Sequence, residues 1–251
     1  MKRVLAPNPG PYTGPGTNTW VIAEPPVAVV IDPGPDDDEH LERILGAAGG
    51  LPVGLVLVTH SHLDHLPLAG RLASRTNSRV ATHPELADGD VVRIGALALE
   101  VLFTPGHAPD HLCFVLAGDR AAFTGDLVLG QGSTMVTWPD GDMTAYLASL
   151  DRLAAVQPRM LFPGHWDPVM EPAAKIAEYR THRLDRERQI LEEVGRGPGD
   201  AADLTRRVYG SEVGGELLAA AEMTLRAHLA KLLAEGRVSS AGEVFSAVSA
   251  G

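Results

Sequence analysis

Val53-Gly54-Leu55-Val56-Leu57-Val58-Thr59-His60-Ser61-His62-Leu63-Asp64-His65 is the stretch that decides the fold. Its first half is a short, nearly continuous apolar run, the pattern of a strand buried on both faces. Its second half sets three histidines and an aspartate into one hexapeptide. In an extended segment His60 and His62 project to the same side. Asp64 and His65 follow as the chain turns toward the next helix. Imidazoles and a carboxylate so close together suit a borderline metal such as Zn²⁺. One metal would take His60 and His62, and a second Asp64 and His65. Chance produces such a hexapeptide in roughly one chain per thousand of this composition, so a loop of solvated histidines is the weaker reading.

Three more metal-type side chains occupy similar positions downstream. His107 closes Thr104-Pro105-Gly106-His107, Asp126 closes Phe123-Thr124-Gly125-Asp126, and His165 closes Phe162-Pro163-Gly164-His165. Each follows an apolar run and a glycine, which permits a tight approach to a shared centre. A lone Gly-His pair reads as an ordinary turn. Two of them, a Gly-Asp and the 60–65 block together read as one site.

The first two thirds of the chain alternate strands and helices. Residues 27–31, 53–58, 91–102, 112–116 and 121–123 read as strands, and 39–48, 66–75, 144–156 and 173–194 as helices. This mixture predicts a layered α/β sandwich. In the last third the strand signal fades. Gly195-Arg196-Gly197-Pro198-Gly199 stops the long helix, and Asp200 caps a helix through Tyr209. Residues 216–235 place Leu218, Met223, Leu225, Leu229 and Leu232 at helical spacing. A hairpin or wing then spans 237–245. Helix, turn, helix and β-ribbon is the layout of a winged helix. The expected division is 1–171 and 172–251.

The 251 residues carry 21 Lys+Arg against 32 Asp+Glu, a net charge of −11. Residues 1–171 hold 10 basic and 20 acidic residues, and residues 172–251 hold 11 and 12. Neither part is the basic body of a dedicated nucleic-acid binder. The single Cys113 cannot form an internal disulfide, which fits a reducing compartment. No apolar run reaches membrane-span length. The N-terminus turns at Pro7-Asn8-Pro9-Gly10 before a signal-peptide core forms. A cytoplasmic protein with no membrane partner is expected.

His-x-His-x-Asp-His followed by Gly-His, Gly-Asp and Gly-His resembles the metallo-β-lactamase superfamily. The resemblance covers residues 1 to about 171 and implies an α/β fold, the four-layer αββα sandwich, here with a small C-terminal winged-helix-like domain. It implies that His60, His62 and His107 bind one metal, that Asp64, His65 and His165 bind a second, and that Asp126 bridges them. Asn8-Pro9-Gly10-Pro11-Tyr12-Thr13, Gly16-Thr17-Asn18-Thr19-Trp20, the 125–134 segment and the 179–191 helix are similar to the β-lactamase-like protein 2 group. That group includes an endoribonuclease acting on single-stranded RNA and thioesterases that release polyketides from carrier proteins. Trp20, Ser61 and Trp166-Asp167 depart from its usual residues, so its substrate does not transfer with its fold.

The expected chemistry is binuclear hydrolysis by a hydroxide held between two Zn²⁺ ions, with Mn²⁺ or Fe²⁺ as alternatives. Asp64 is the catalytic candidate, binding metal and orienting the hydroxide. Asn18, Asp32, Asp110 and His111 are candidates to hold the ligating side chains, because ligating histidines donate their second N–H to an oxygen. Asp32 also reads as a turn residue before Pro33, and His111 as a core histidine. Trp20, Trp138 and Trp166 read as packing. Arg180, Arg183, Arg186 and Arg188, interleaved with Asp185 and Glu187, read as a solvated helix face. The preferred function is hydrolysis of an ester or thioester in a small-molecule or carrier-bound substrate. The alternatives are an endoribonuclease for single-stranded RNA and a metal-binding winged-helix regulator. The tail's near-neutral charge favours packing, or homodimer formation, over DNA binding.

Overall fold

The computed structural model describes residues 1–210 and 216–248. Parts of the expected 172–251 unit, at 211–215 and 249–251, lie outside the described residues.

The predicted buried strands are strand β3 (Val27–Ile31) and strand β4 (Val53–Leu57). Their alternate side chains serve two different cores. Val29, Ile31, Leu55 and Leu57 face the interior of a sandwich. Ala28, Val30 and Val56 face helices α1 (Asp38–Ala47) and α2 (Ala69–Thr76). This two-sided burial explains why these runs are apolar at nearly every position. Strands β1 (Lys2–Leu5), β2 (Asn18–Glu24) and β5 (Arg79–Ala81) complete a five-stranded sheet in the order β1-β2-β3-β4-β5.

The second sheet is built the same way. It comprises β6 (Val91–Ile94), β7 (Leu97–Phe103), β8 (Leu112–Leu116), β9 (Ala121–Gly125) and β10 (Met160–Pro163), in the order β10-β9-β8-β7-β6. Leu112, Phe114, Leu116 and Phe123 meet the first sheet. Cys113, Val115 and Ala122 face helix α3 (Met143–Ala155) and helix α4 (Pro172–Arg196). The layers are therefore helix, sheet, sheet, helix, as expected. Cys113 is buried and free, with its thiol pushed up to about 12 by burial. That is a packing residue rather than a reactive one.

Several boundaries differ from the sequence reading. The 91–102 run is two strands, because Gly95 at φ 56° makes the tight turn of a hairpin. The helix expected from residue 66 starts at Ala69, since the 62–66 segment forms its own turn through His65 N–H and Leu66 N–H to His62 O. Strands β1, β2 and β5 are absent from the sequence reading. β1 and β5 are short edge strands with few fully buried positions.

Helix α5 (Ala201–Tyr209) is capped by Asp200, whose side chain accepts from Asp203 N–H. Helix α6 (Glu216–Ala234) and the ribbon of β11 (Val238–Ala241) and β12 (Val244–Ala247) complete the winged helix. Leu225, Leu229 and Leu232 are buried, each contributing roughly 1.5–3 kcal/mol. Leu218 is only half-buried, and Met223 is 41% exposed. Met223 precedes Leu225 by two residues and so points about 200° away around the helix. The unit docks on the sandwich. Trp138 N–H donates to Met223 O, and Ala227 joins the core beneath the second sheet. Among the described residues no helix is long and apolar enough to cross a membrane.

Candidate metal centre

The candidate ligands gather where strand ends of both sheets meet. His60, His62, Asp64 and His65 follow β4 of the first sheet. His107 follows β7, Asp126 follows β9 and His165 follows β10 of the second. Glycine makes two of these turns possible. Gly106 (φ 131°) and Gly125 (φ 44°) adopt backbone angles that side chains disfavour. A Cβ on Gly125 would also sit 2.6 Å from Thr59 Oγ1.

The side chains form two linked groups. His62 Nδ1 lies 3.0 Å from His60 Nε2 and 3.1 Å from His107 Nε2. Asp64 Oδ2 lies 3.2 Å from His165 Nε2 and 3.6 Å from His65 Nε2. Asp126 spans the groups. Its Oδ1 is 3.5 Å from His65 Nε2 and 3.4 Å from His165 Nε2, while its Oδ2 is 3.6 Å from His107 Nε2. Ligand atoms held about 2.0–2.1 Å from a tetrahedral ion are about 3.3 Å apart, which matches these separations.

The polar atoms fit a cation better than they fit each other. His65 Nε2 and Asp126 Oδ1 are buried with no hydrogen-bond partner. Unpaired buried polar atoms are costly unless something satisfies them. The ring tautomers point the same way. Thr59 Oγ1 donates to Asp32 Oδ2, so it accepts from His60 Nδ1–H at 3.0 Å. His65 Nδ1–H donates to Asp32 Oδ2 at 3.0 Å, and His107 Nδ1–H to Met135 O at 2.6 Å. His165 Nδ1–H faces Gly16 O at 3.3 Å. Four rings thus use Nδ1 for these outer contacts and turn Nε2 to the centre, while His62 presents Nδ1.

Electrostatics set the proton competition. Burial opposes ionisation of Asp126, but His165 and His65 hold its carboxyl well below the usual range. Burial also opposes charge on His65 and His165. The Asp126 carboxylate, with Asp32 at His65 and Asp64 at His165, overcomes this, raising His65 well above the usual imidazole range and His165 to about 9. His60 is pushed well below its usual range by burial, then by the His65, His107 and His111 rings. A metal entering beside His65 and His165 must displace protons, so its affinity rises with pH.

The expected supporting residues divide. Asp32 directly orients His65 and accepts from Thr59 N–H at 2.7 Å. Asn18 acts one step away, donating from Nδ2 to Pro163 O at 3.0 Å and Trp166 O at 2.6 Å, on either side of His165. Asp110 and His111 touch no ligating ring nitrogen by hydrogen bond, contrary to the expected pattern. Asp110 Oδ2 accepts from Ser61 N–H at 3.0 Å, fixing the loop between His60 and His62. His111 Nε2 accepts from Asp126 N–H at 3.1 Å, and its Nδ1–H donates to Thr104 Oγ1. Sequence reasoning misses Thr59 and the carbonyls of Gly16 and Met135. Thr59 has a signal in its place beside His60, but a carbonyl has none.

Beside the centre lies a cavity of about 350 Å³ reached by His62, Asp64, His107 and Asp126. Pro11, Tyr12, Leu129, Met135, Trp166 and Leu217 make its walls mainly apolar, Ser133, Thr134 and Thr137 add hydroxyls, and no Lys or Arg lines it among the described residues. Trp166 therefore lines the cleft while also packing against the core beneath the second sheet. Trp20 is packing, with its ring edge-on to Phe162 at 4.9 Å, and Trp138 is 45% exposed. The solvated-face reading of the 180–188 segment holds for Arg180 and Arg188. It fails for Arg183 and Glu187, which are 3% and 4% exposed, and Arg186 stacks over Tyr209 at 4.0 Å.

A helix–sheet–sheet–helix sandwich with this donor set at one rim defines a hydrolase built around a metal-type centre. Residues 12–89 and 87–165 match the metallo-beta-lactamase superfamily, and residues 201–246 match the beta-lactamase associated winged helix domain. The chain belongs to the metallo-beta-lactamase superfamily. It is 34% identical over 229 residues to the atrochrysone carboxyl ACP thioesterase of Aspergillus chevalieri, covering 83% of this chain and 73% of that one. It is 30% identical over 265 residues to the beta-lactamase-like protein 2 homolog of Drosophila melanogaster, covering 94% and 88%. A crystal structure of a metallo-beta-lactamase family protein from Thermus thermophilus superposes with a TM-score of 0.85 at 23% identity, over 98% of each chain.

Proposed function

We propose that this chain is a binuclear, zinc-type hydrolase of ester or thioester carbonyls in a small-molecule or carrier-bound substrate. His60, His62 and His107 would hold one ion and Asp64, His65 and His165 the other, with one oxygen of Asp126 toward each. Two divalent cations, Zn²⁺ by donor type and Mn²⁺ or Fe²⁺ as alternatives, supply Lewis acidity and water of lowered pKa. Asp64 is 27% exposed in its side chain and borders the cavity, so it is the carboxylate that accepts a proton from the attacking water and orients it. Met135 O, Asp32 and Thr59 keep the ligating rings in the tautomers this requires.

The choice of substrate rests on one observation: beside the candidate ligands the cleft walls are mainly apolar, with the hydroxyls of Ser133, Thr134 and Thr137 but no Lys or Arg among the described residues. A phosphodiester backbone calls for arginine or lysine, whereas an acyl chain or ring suits Tyr12, Leu129, Met135 and Trp166. The arginines of the winged helix do not compensate. Arg207 and Arg206 pair with Asp203, Arg226 with Glu222 and Glu243, and Arg237 with Glu187. The printed name of the Aspergillus relative, a thioesterase for a carrier-bound acyl group, supports the same reading.

The test has two parts. Metal analysis should return two ions per chain, and less than half an equivalent after Zn²⁺ addition would refute the centre. Acyl-thioesters and single-stranded RNA are then compared at low and high salt. Thioester hydrolysis should be nearly salt-independent and fall at least tenfold in kcat in Asp64→Ala, with unchanged circular dichroism. Salt-sensitive RNA cleavage lost in that variant, with thioesters untouched, would overturn the substrate assignment.

A further inference from the structure

Arg183 sits on α4, outside the centre, yet it is 3% exposed. Removing a guanidinium from water is costly, and buried arginines ordinarily meet a carboxylate. Among the described residues none lies within ion-pair reach of Arg183. Its Nη2 instead donates to Thr134 O, its guanidinium lies 5.5 Å from the Tyr146 ring centroid, and its Nε has no partner. A placement this unfavourable needs a return beyond packing.

The residues it holds supply one. Thr134 Oγ1 donates to Asp126 O at 2.5 Å, and the next residue, Met135, accepts His107 Nδ1–H at 2.6 Å. One short segment thus fixes the residue spanning both ligand groups and a ring of the first group. The same loop is braced elsewhere by Tyr146 Oη–H donating to Leu127 O at 2.8 Å and Leu129 N–H donating to Tyr179 Oη at 3.0 Å. Those contacts grip the loop nearer its start. Arg183 alone among these side chains grips Thr134.

We propose that Arg183 is a positioning residue for the metal centre, setting the aim of Asp126 and His107 through Thr134 and Met135. This rests on the reading of the centre as a metal site. Arg183 touches neither ligand. It acts by fixing where two donors converge, so its loss loosens the binding of the ion nearest His107 and slows turnover more than it weakens substrate binding.

The test uses the full-length chain with Zn²⁺ as the probe. Affinity is measured by competition with a chromophoric chelator, beside kcat, KM and thermal unfolding. Arg183→Met should stay folded, bind one of two Zn²⁺ ions at least tenfold less tightly, and lose kcat with KM within about threefold of wild type. Arg183→Lys, which keeps one donor for Thr134 O, should recover part of both. If Arg183→Met fails to fold, Thr134→Val, which removes the bond to Asp126 O, should give the same weakening. Folded variants with wild-type Zn²⁺ affinity and kcat would overturn the proposal, as would a lowered melting temperature with affinity unchanged. A wild-type chain that binds no Zn²⁺ would instead refute the metal centre itself.

Discussion

At the scale of single residues, the candidate ligands are held in place by further side-chain contacts. Asp32 shows this best. Its backbone adopts φ 51°, a left-handed geometry that Asp and Asn tolerate better than most residues. From there its carboxylate reaches Thr59 N–H, Thr59 Oγ1–H and His65 Nδ1–H together. Asp32→Asn keeps the backbone preference and the shape but removes the charge. Its metal affinity should fall about 10–100-fold, the usual consequence of losing such a partner. Chelator competition would detect this, and an unchanged affinity would show that Asp32 is only a turn residue. Asp32 is legible as a candidate because it ends a buried strand before Pro33. The candidate ligands are more legible still, since four fall in one hexapeptide and His107, Asp126 and His165 recur in the same grammar of strand, glycine and donor. Arg183 escapes the sequence reading because its neighbours Arg180 and Arg188 do face solvent, and charge spacing alone does not say which face of a long helix is covered.

At the scale of elements, α4 joins the sandwich to the winged helix, and its own side chains form the joint. Four residues after Arg183, Glu187 is buried against Lys231 Nζ at 2.7 Å, Arg237 Nη1 at 2.5 Å and His228 Nδ1 at 4.0 Å. Burial opposes its ionisation, but the His228 contact and the two cations hold its carboxyl down at about 2, against an ordinary 4.5. A carboxyl with a lowered folded-state value stabilises the fold above its unfolded value and loses that contribution as pH falls. The winged helix should therefore loosen between about pH 4.5 and 2. Hydrogen exchange of α6 amides across that range would reveal it. Glu187→Gln should flatten the pH dependence and weaken docking at neutral pH. An unaltered pH profile in that variant would assign the acid sensitivity to other carboxylates. The helices themselves are legible to within a few residues because their apolar spacing and caps are local. The hairpin at 91–103 is not, because Gly95 interrupts a run that looks continuous in hydropathy.

At the scale of the whole molecule, each sheet comes from one continuous stretch of chain, β1 to β5 and then β6 to β10. The layered class is legible because two-sided burial makes central strands apolar throughout. The pairing of the sheets is not, since their shared core forms between residues far apart in sequence, such as Leu57 and Phe114. The centre straddles this division. Residues before the exposed 87–90 segment supply four donors, His60, His62, Asp64 and His65, and residues after it supply His107, Asp126 and His165. Neither stretch alone holds the complete set. Severing the backbone between Ala87 and Asp88 would turn one enzyme into two fragments, with the bound ions serving as a clasp between them. The fragments should co-elute when loaded with Zn²⁺ and part more readily under chelation, as judged by size-exclusion chromatography. Equal retention with and without metal would mean that the apolar seam alone holds the pair. The sandwich would then behave as a split reporter, in which hydrolysis registers the reunion of its halves.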